Sequence, residues 1–89
     1  MLGEYQKAID DYSMAIELNP EDHPLYLFRA VKYEKLSKYQ KAIDDYSKAI
    51  ELGIGWACAY VLRGSAHLEL GLHQEAEEDF SASLESDWE

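Results

Sequence analysis

The sequence predicts an all-α fold, a stack of antiparallel helix pairs with five helices in all. Three observations carry that prediction. The segment Tyr5-Gln-Lys-Ala-Ile-Asp-Asp-Tyr12 returns unchanged as Tyr39 to Tyr46, and a degraded copy, His73-Gln-Glu-Ala-Glu-Glu-Asp-Phe80, follows at the same interval. Ala8, Ala42 and Ala76 thus share a 34-residue period. Within each copy the apolar residues recur at helical spacing, and no stretch alternates as a strand does. A fixed period of this size means units that bury an apolar stripe against their neighbours, so the array and not the single unit is the domain.

Each element has its own justification. From Glu4 to Leu18, Tyr5, Ala8, Ile9, Tyr12, Ala15 and Ile16 form one stripe, with Asp10, Asp11 and Glu17 on the other side. Asn19-Pro20-Glu21-Asp22 stops this helix, because proline cannot continue it and restricts the residue before it. Asp22 or His23 is placed to cap the second helix, with Pro24 tolerated in the first turn, and that helix runs to about Leu36. After a turn at Ser37-Lys38, the third helix, Tyr39 to Leu52, copies the first. Gly53-Ile-Gly55-Trp56 forms a looser connection, since two glycines gain freedom in the unfolded chain. A fourth helix spans about Ala57 to Leu70, Gly71 ends it, and a fifth covers about His73 to Ser86. Connections this short force neighbouring helices antiparallel.

Composition narrows the function classes. The chain of 89 residues carries 18 acidic against 8 basic side chains, a formal net charge of −10. Nucleic acid and anionic membrane surfaces both demand a cationic footprint, so neither is an expected partner. An apolar content of 47% is ample for a core. The absence of a long apolar run or a basic leader, together with the lone Cys58, points to a soluble, intracellular (cytoplasmic) protein.

The recurring positions resemble the tetratricopeptide repeat. In the second unit the matching residues are Tyr26, Arg29-Ala30, Tyr33, Ala42 and Tyr46, and in the third they are Tyr60, Arg63-Gly64, Ala76 and Phe80, with His67 at the second aromatic position. The first unit contributes only a second helix, with Ala8, Tyr12, Ala15 and Pro20. Ile54 and Trp88 stand where Pro20 stands, and Ser37 stands where Gly3 and Gly71 do. The resemblance implies a right-handed solenoid divided as 1–22 (second helix of a partial repeat), 23–56 (full repeat) and 57–89 (full repeat with a cap-like end). The alanines and Gly64 are small so that helices approach closely, and Tyr12, Tyr46 and Phe80 fill the space between units. A serine at position 37 in the left-handed region would be strained by about 1 kcal/mol.

The two ends read differently. At the first helix, Ala8, Tyr12 and Ala15 form an apolar face with no partner helix in this sequence, which makes them self-association candidates. At the other end, Glu77 replaces Ile9 and Ile43, while Ser83 and Ser86 replace Ala15/Ala49 and Leu18/Leu52, as in a polar cap. The expectation is an open N-terminal face, left by truncation or covered by a second copy as a homo-oligomer, and a genuine C-terminal end.

The resemblance also implies where a ligand sits, on the first helix of each unit along a concave surface. The groove candidates are Leu27, Val31, Glu34 and Lys35 in one unit and Cys58, Val61, Ser65, Leu68 and Glu69 in the next, with Phe28 and Leu62 on the rim. Some members of the family grip chaperone carboxylates with lysine, arginine and asparagine. Here the corresponding places hold Phe28, Cys58 and Leu62, so an apolar or amphipathic peptide segment of another protein is the expected occupant. No cofactor, metal or catalytic residue is expected. The pairs His67-x-Glu69 and His73-x-Glu75 do not share a helix face. The repeated Asp10-Asp11 and Asp44-Asp45, and the run Glu75, Glu77, Glu78 and Asp79, read as solvated faces. Cys58 reads as a small buried thiol.

Overall fold

A computed structural model describes residues 2–52 and 57–86 of the chain. The described residues form five helices and no strand: α1 (Leu2–Leu18), α2 (His23–Lys35), α3 (Tyr39–Glu51), α4 (Ala57–Glu69) and α5 (His73–Ser86). The expected looser connection at Gly53–Trp56 lies outside the described residues, as does Trp88. Each helix packs on the next in chain order, α1 on α2, α2 on α3, α3 on α4 and α4 on α5. This is the contact pattern of a stack that each unit extends by one pair.

The two hairpin turns within the units are built alike. At the first, Ser37 N–H donates to the Glu34 carbonyl at 2.8 Å and Lys38 N–H to the Tyr33 carbonyl at 2.9 Å. At the second, Gly71 N–H donates to Leu68 at 2.9 Å and Leu72 N–H to His67 at 2.8 Å. Both are the two-bond closure that satisfies a helix's last carbonyls through a left-handed residue. Gly71 takes that conformation at φ 77° and Ser37 takes it at φ 58°, so the serine does occupy the position glycine favours. At the start of α2, Asp22 is the capping residue by position, yet its side chain makes no capping bond; Pro24 sits in the first turn.

Small residues set the helix spacing. Ala30, Ala42, Ala59 and Ala66 are fully buried, and Tyr46 is the large side chain that their close approach encloses. Leu27 and Ile43 complete this core, with Val31, Tyr33, Ile50 and Leu62 packed against it. At α4 a methyl group on Gly64 would fall 2.8 Å from Phe80 Cε1, so the missing side chain is what admits the ring. The loop after α1 is fastened by the Tyr26 hydroxyl, which donates to the Pro20 carbonyl at 2.8 Å.

Two polar clusters recur inside this apolar stack, and they correct the expectation that the paired aspartates are solvated. Asp10, Asp11 and Asp44 are exposed, but Asp45 and Asp79 are buried at 5% and 4% exposure. Arg29 grips Asp45 with two bonds, Nε to Oδ2 at 2.7 Å and Nη2 to Oδ1 at 2.8 Å, and its Nη1 donates to Ser13 Oγ at 3.0 Å. Arg63 repeats the arrangement one unit later, with Nη2 2.6 Å from Asp79 Oδ1 and Nη1 donating to Ser47 Oγ at 3.0 Å. Each arginine therefore joins three successive helices, reaching back to a serine and forward to an aspartate. A two-pronged guanidinium bond satisfies the carboxylate while fixing helix register. The bond to Asp45 is also what raises the Arg29 pKa further above its ordinary value, against the opposing effect of burial. His67 adds to the second cluster, its Nδ1 lying 2.8 Å from Asp79 Oδ2. Ser83 is likewise buried rather than part of a polar outer surface; its hydroxyl donates to the Phe80 carbonyl of its own helix at 2.6 Å.

Candidate functional site: a groove between α2 and α4

Helices α2 and α4 do not follow each other in the chain, and the space between them is an open groove with a cavity of about 360 Å³. Val31, Glu34 and Lys35 line it from α2, Leu62, Ser65 and Glu69 from α4, and Tyr39 from the start of α3. The spacing explains the set, since residues three and four apart share one face of a helix. Val31, Glu34 and Lys35 meet this rule on α2, as do Leu62, Ser65 and Glu69 on α4.

Of the residues singled out in the sequence, the structure brings six to this cavity and leaves five elsewhere. Leu27 belongs to the buried core, at 8% exposure, and presents nothing to a ligand. Phe28 is half exposed and stacks obliquely on Tyr12 of α1, ring centroids 5.9 Å apart. Val61 and Leu68 are exposed on α4 outside the cavity lining. Cys58 is exposed, not the buried thiol its small size suggested. Tyr39 is the lining residue that sequence reasoning missed. It is the tyrosine that opens the second copy, as Tyr5 opens the first, and its place just after a hairpin turn brings it beside the groove.

The groove carries mixed chemistry. Val31 and Leu62 give it an apolar floor continuous with the core. Glu34 and Glu69 contribute carboxylates, and Lys35 is the single lining cation. The Tyr46 hydroxyl donates a short hydrogen bond to Glu34 Oε2, which holds that carboxylate in place. Burial, and then this bond, push the Tyr46 pKa well above its ordinary value, so the phenol stays protonated. No group of three or more metal-ligating side chains exists among the described residues.

Stacked helical hairpins with an open groove along one side define a helical-repeat protein. The chain belongs to the tetratricopeptide repeat family, whose pattern matches residues 1–22, 24–52 and 58–87. Among solved structures it is similar to MamA, with 34% identity over 94% of this chain and a TM-score of 0.91. It spans about half of that protein, 49% of its length. The second repeat domain of Spaghetti (RPAP3), bound to the HSP90 peptide SRMEEVD, is 35% identical, with 92% of this chain and 76% of that one covered and a TM-score of 0.86. The TPR2B domain of yeast Sti1, in a complex with pHsp70, is 29% identical over 96% of this chain and 68% of that one, with a TM-score of 0.89. No curated protein sequence matches the chain. No helix among the described residues is long and apolar enough to cross a membrane.

Proposed function

We propose that the chain is a protein-interaction module without catalysis of its own, and that the α2–α4 groove holds an amphipathic segment of another protein presenting apolar and cationic side chains. The observation that carries this reading is the lining itself. Val31 and Leu62 offer apolar surface, while Glu34 and Glu69 face a ligand with carboxylates against one lysine. The peptide-bound repeat domains of Spaghetti and Sti1 support the module class. An acidic peptide such as SRMEEVD would meet like charge here, and like charges across an interface select against a partner. With a net charge of −10, the chain also attracts cationic partners from a distance.

Fluorescence anisotropy with two labelled peptides tests this. A helical peptide of leucine and lysine should bind, and SRMEEVD should not. Ser65→Arg, which fills the cavity with a cation, should weaken binding by about tenfold or more, whereas Gln74→Arg on α5, with the same change in charge, should not. Tighter binding of SRMEEVD, or equal losses for the two variants, would overturn the reading.

A further inference from the structure

Two units of the stack can be compared position by position at the groove. Glu34 of α2 and Tyr46 of α3 stand 34 residues before Leu68 of α4 and Phe80 of α5. Both members of the pair change together: where the enclosed aromatic carries a hydroxyl the first helix offers a carboxylate, and where it carries none the first helix offers a leucine. Packing alone does not require the hydroxyl. Phe80 fills the corresponding place against Gly64 without one. A buried hydroxyl must find an acceptor, and that of Tyr46, whose ring is fully enclosed, finds Glu34 Oε2. Burial keeps the phenol protonated, so the bond persists.

The consequence falls on the groove, because Glu34 lines it and Tyr46 does not. A glutamate ordinarily loses rotamer freedom when it grips a ligand, and here part of that loss is already incurred on folding. The bond also divides the carboxylate. Oε2 serves the tyrosine, and Oε1 is left for a ligand. Asp45 is the contrast within the chain, since it gives each of its oxygens to one prong of Arg29. A guanidinium grips best when it takes both oxygens in this way, whereas an ammonium is a point charge that one oxygen can hold.

We propose that Glu34 is the specificity-determining residue of the groove and selects a lysine side chain over an arginine, with Tyr46 as the positioning residue behind it. This rests on the reading of the groove as a peptide site. Val31 lies one helical turn before Glu34 in the same lining, so the selected lysine sits beside an apolar neighbour in the bound segment.

The test compares the leucine–lysine peptide with the same peptide in which every lysine is arginine. Anisotropy gives the affinities, and the amide resonances of Val31, Ser65 and Glu69 locate the binding. The native chain should bind the lysine peptide at least about threefold more tightly. Tyr46→Phe keeps the ring and frees Oε2, so it should abolish or reverse that preference. A tyrosine that served packing alone would, once changed, affect both peptides alike. Glu34→Gln, at a half-buried position, probes the same carboxylate without touching the core; it should weaken both peptides and erase the preference. Equal affinities on the native chain, tighter arginine binding there, or a preference that survives either substitution would overturn the proposal and leave the groove a peptide site. Failure of both peptides to bind, or shifts confined to other helices, would overturn the groove reading and this inference together.

Discussion

Helices α1 and α3 carry nearly the same residues, and the structure treats them differently. On α3 the tyrosine, the aspartate and two alanines disappear from solvent; on α1 their counterparts remain partly or fully accessible. The difference lies in neighbours and not in composition. An aspartate at this position has no fixed character of its own: Asp45 is half of a buried ion pair because Arg29 stands across from it, and Asp11 is a surface carboxylate. Twin substitutions at the two sites therefore measure the surroundings with the side chain held constant.

The largest contrast should come from the aromatic. Tyr46→Ala empties a fully enclosed site between three helices and should cost about 3–5 kcal/mol, whereas the half-buried Tyr12→Ala should cost about 1 kcal/mol. Urea denaturation of the two variants makes the comparison. Equal losses would mean that α1 is covered as fully as α3. Next comes the carboxylate. Asp45→Asn leaves Arg29 with a neutral partner and should lose about 2–3 kcal/mol, against roughly 0.5 kcal/mol or less for Asp11→Asn. A double-mutant cycle of Arg29→Ala with each aspartate should show strong coupling to Asp45 and none to Asp11.

Alkaline pH should probe the buried tyrosine of α3 more gently. Folding raises the Tyr46 pKa above its ordinary value of 10, so above pH 10 the unfolded chain releases a proton that the folded chain keeps. Stability associated with the protonated phenol is thus complete below pH 10 and falls as pH rises beyond it, by about 1.4 kcal/mol for each pH unit of separation. Tyr46→Phe should flatten the decline in melting temperature between pH 9.5 and 11.

The same contrast explains what the sequence disclosed. Five helices and their order were legible because the 34-residue period and the apolar stripes are local patterns that packing then obeys. The groove was half legible. The family resemblance implies Val31, Glu34, Lys35, Ser65 and Glu69 in the groove and Leu62 on its rim, but it could not show that Leu27 turns into the core, or that Tyr39 enters from another helix. Repetition of Asp44-Asp45 suggests an exposed face, yet Asp45 is buried in an ion pair. In a stack, an interface repeats as faithfully as a surface. The missed signal was joint recurrence: Arg29 and Arg63 share the period with Asp45 and Asp79 and with Ser13 and Ser47.

The smallest contrast concerns how the two helices begin. Gly3 and Ser37 are equivalent in the repeat, yet α1 runs through Gly3 with negative φ, while α3 begins after a turn in which Ser37 is held at φ 58°. The glycine thus sits where its freedom is not needed, and a serine bears the left-handed strain at the turn that brings α2 over α3. Ser37→Gly should relieve that strain and stabilise the chain by about 0.5–1 kcal/mol, after allowance for the added freedom of the unfolded glycine. Gly3→Ser, in an ordinary helical position, should shift stability by no more than about 0.5 kcal/mol. The melting temperature should rise for the first variant and barely move for the second. A fall with Ser37→Gly would show that the serine side chain itself supports the turn.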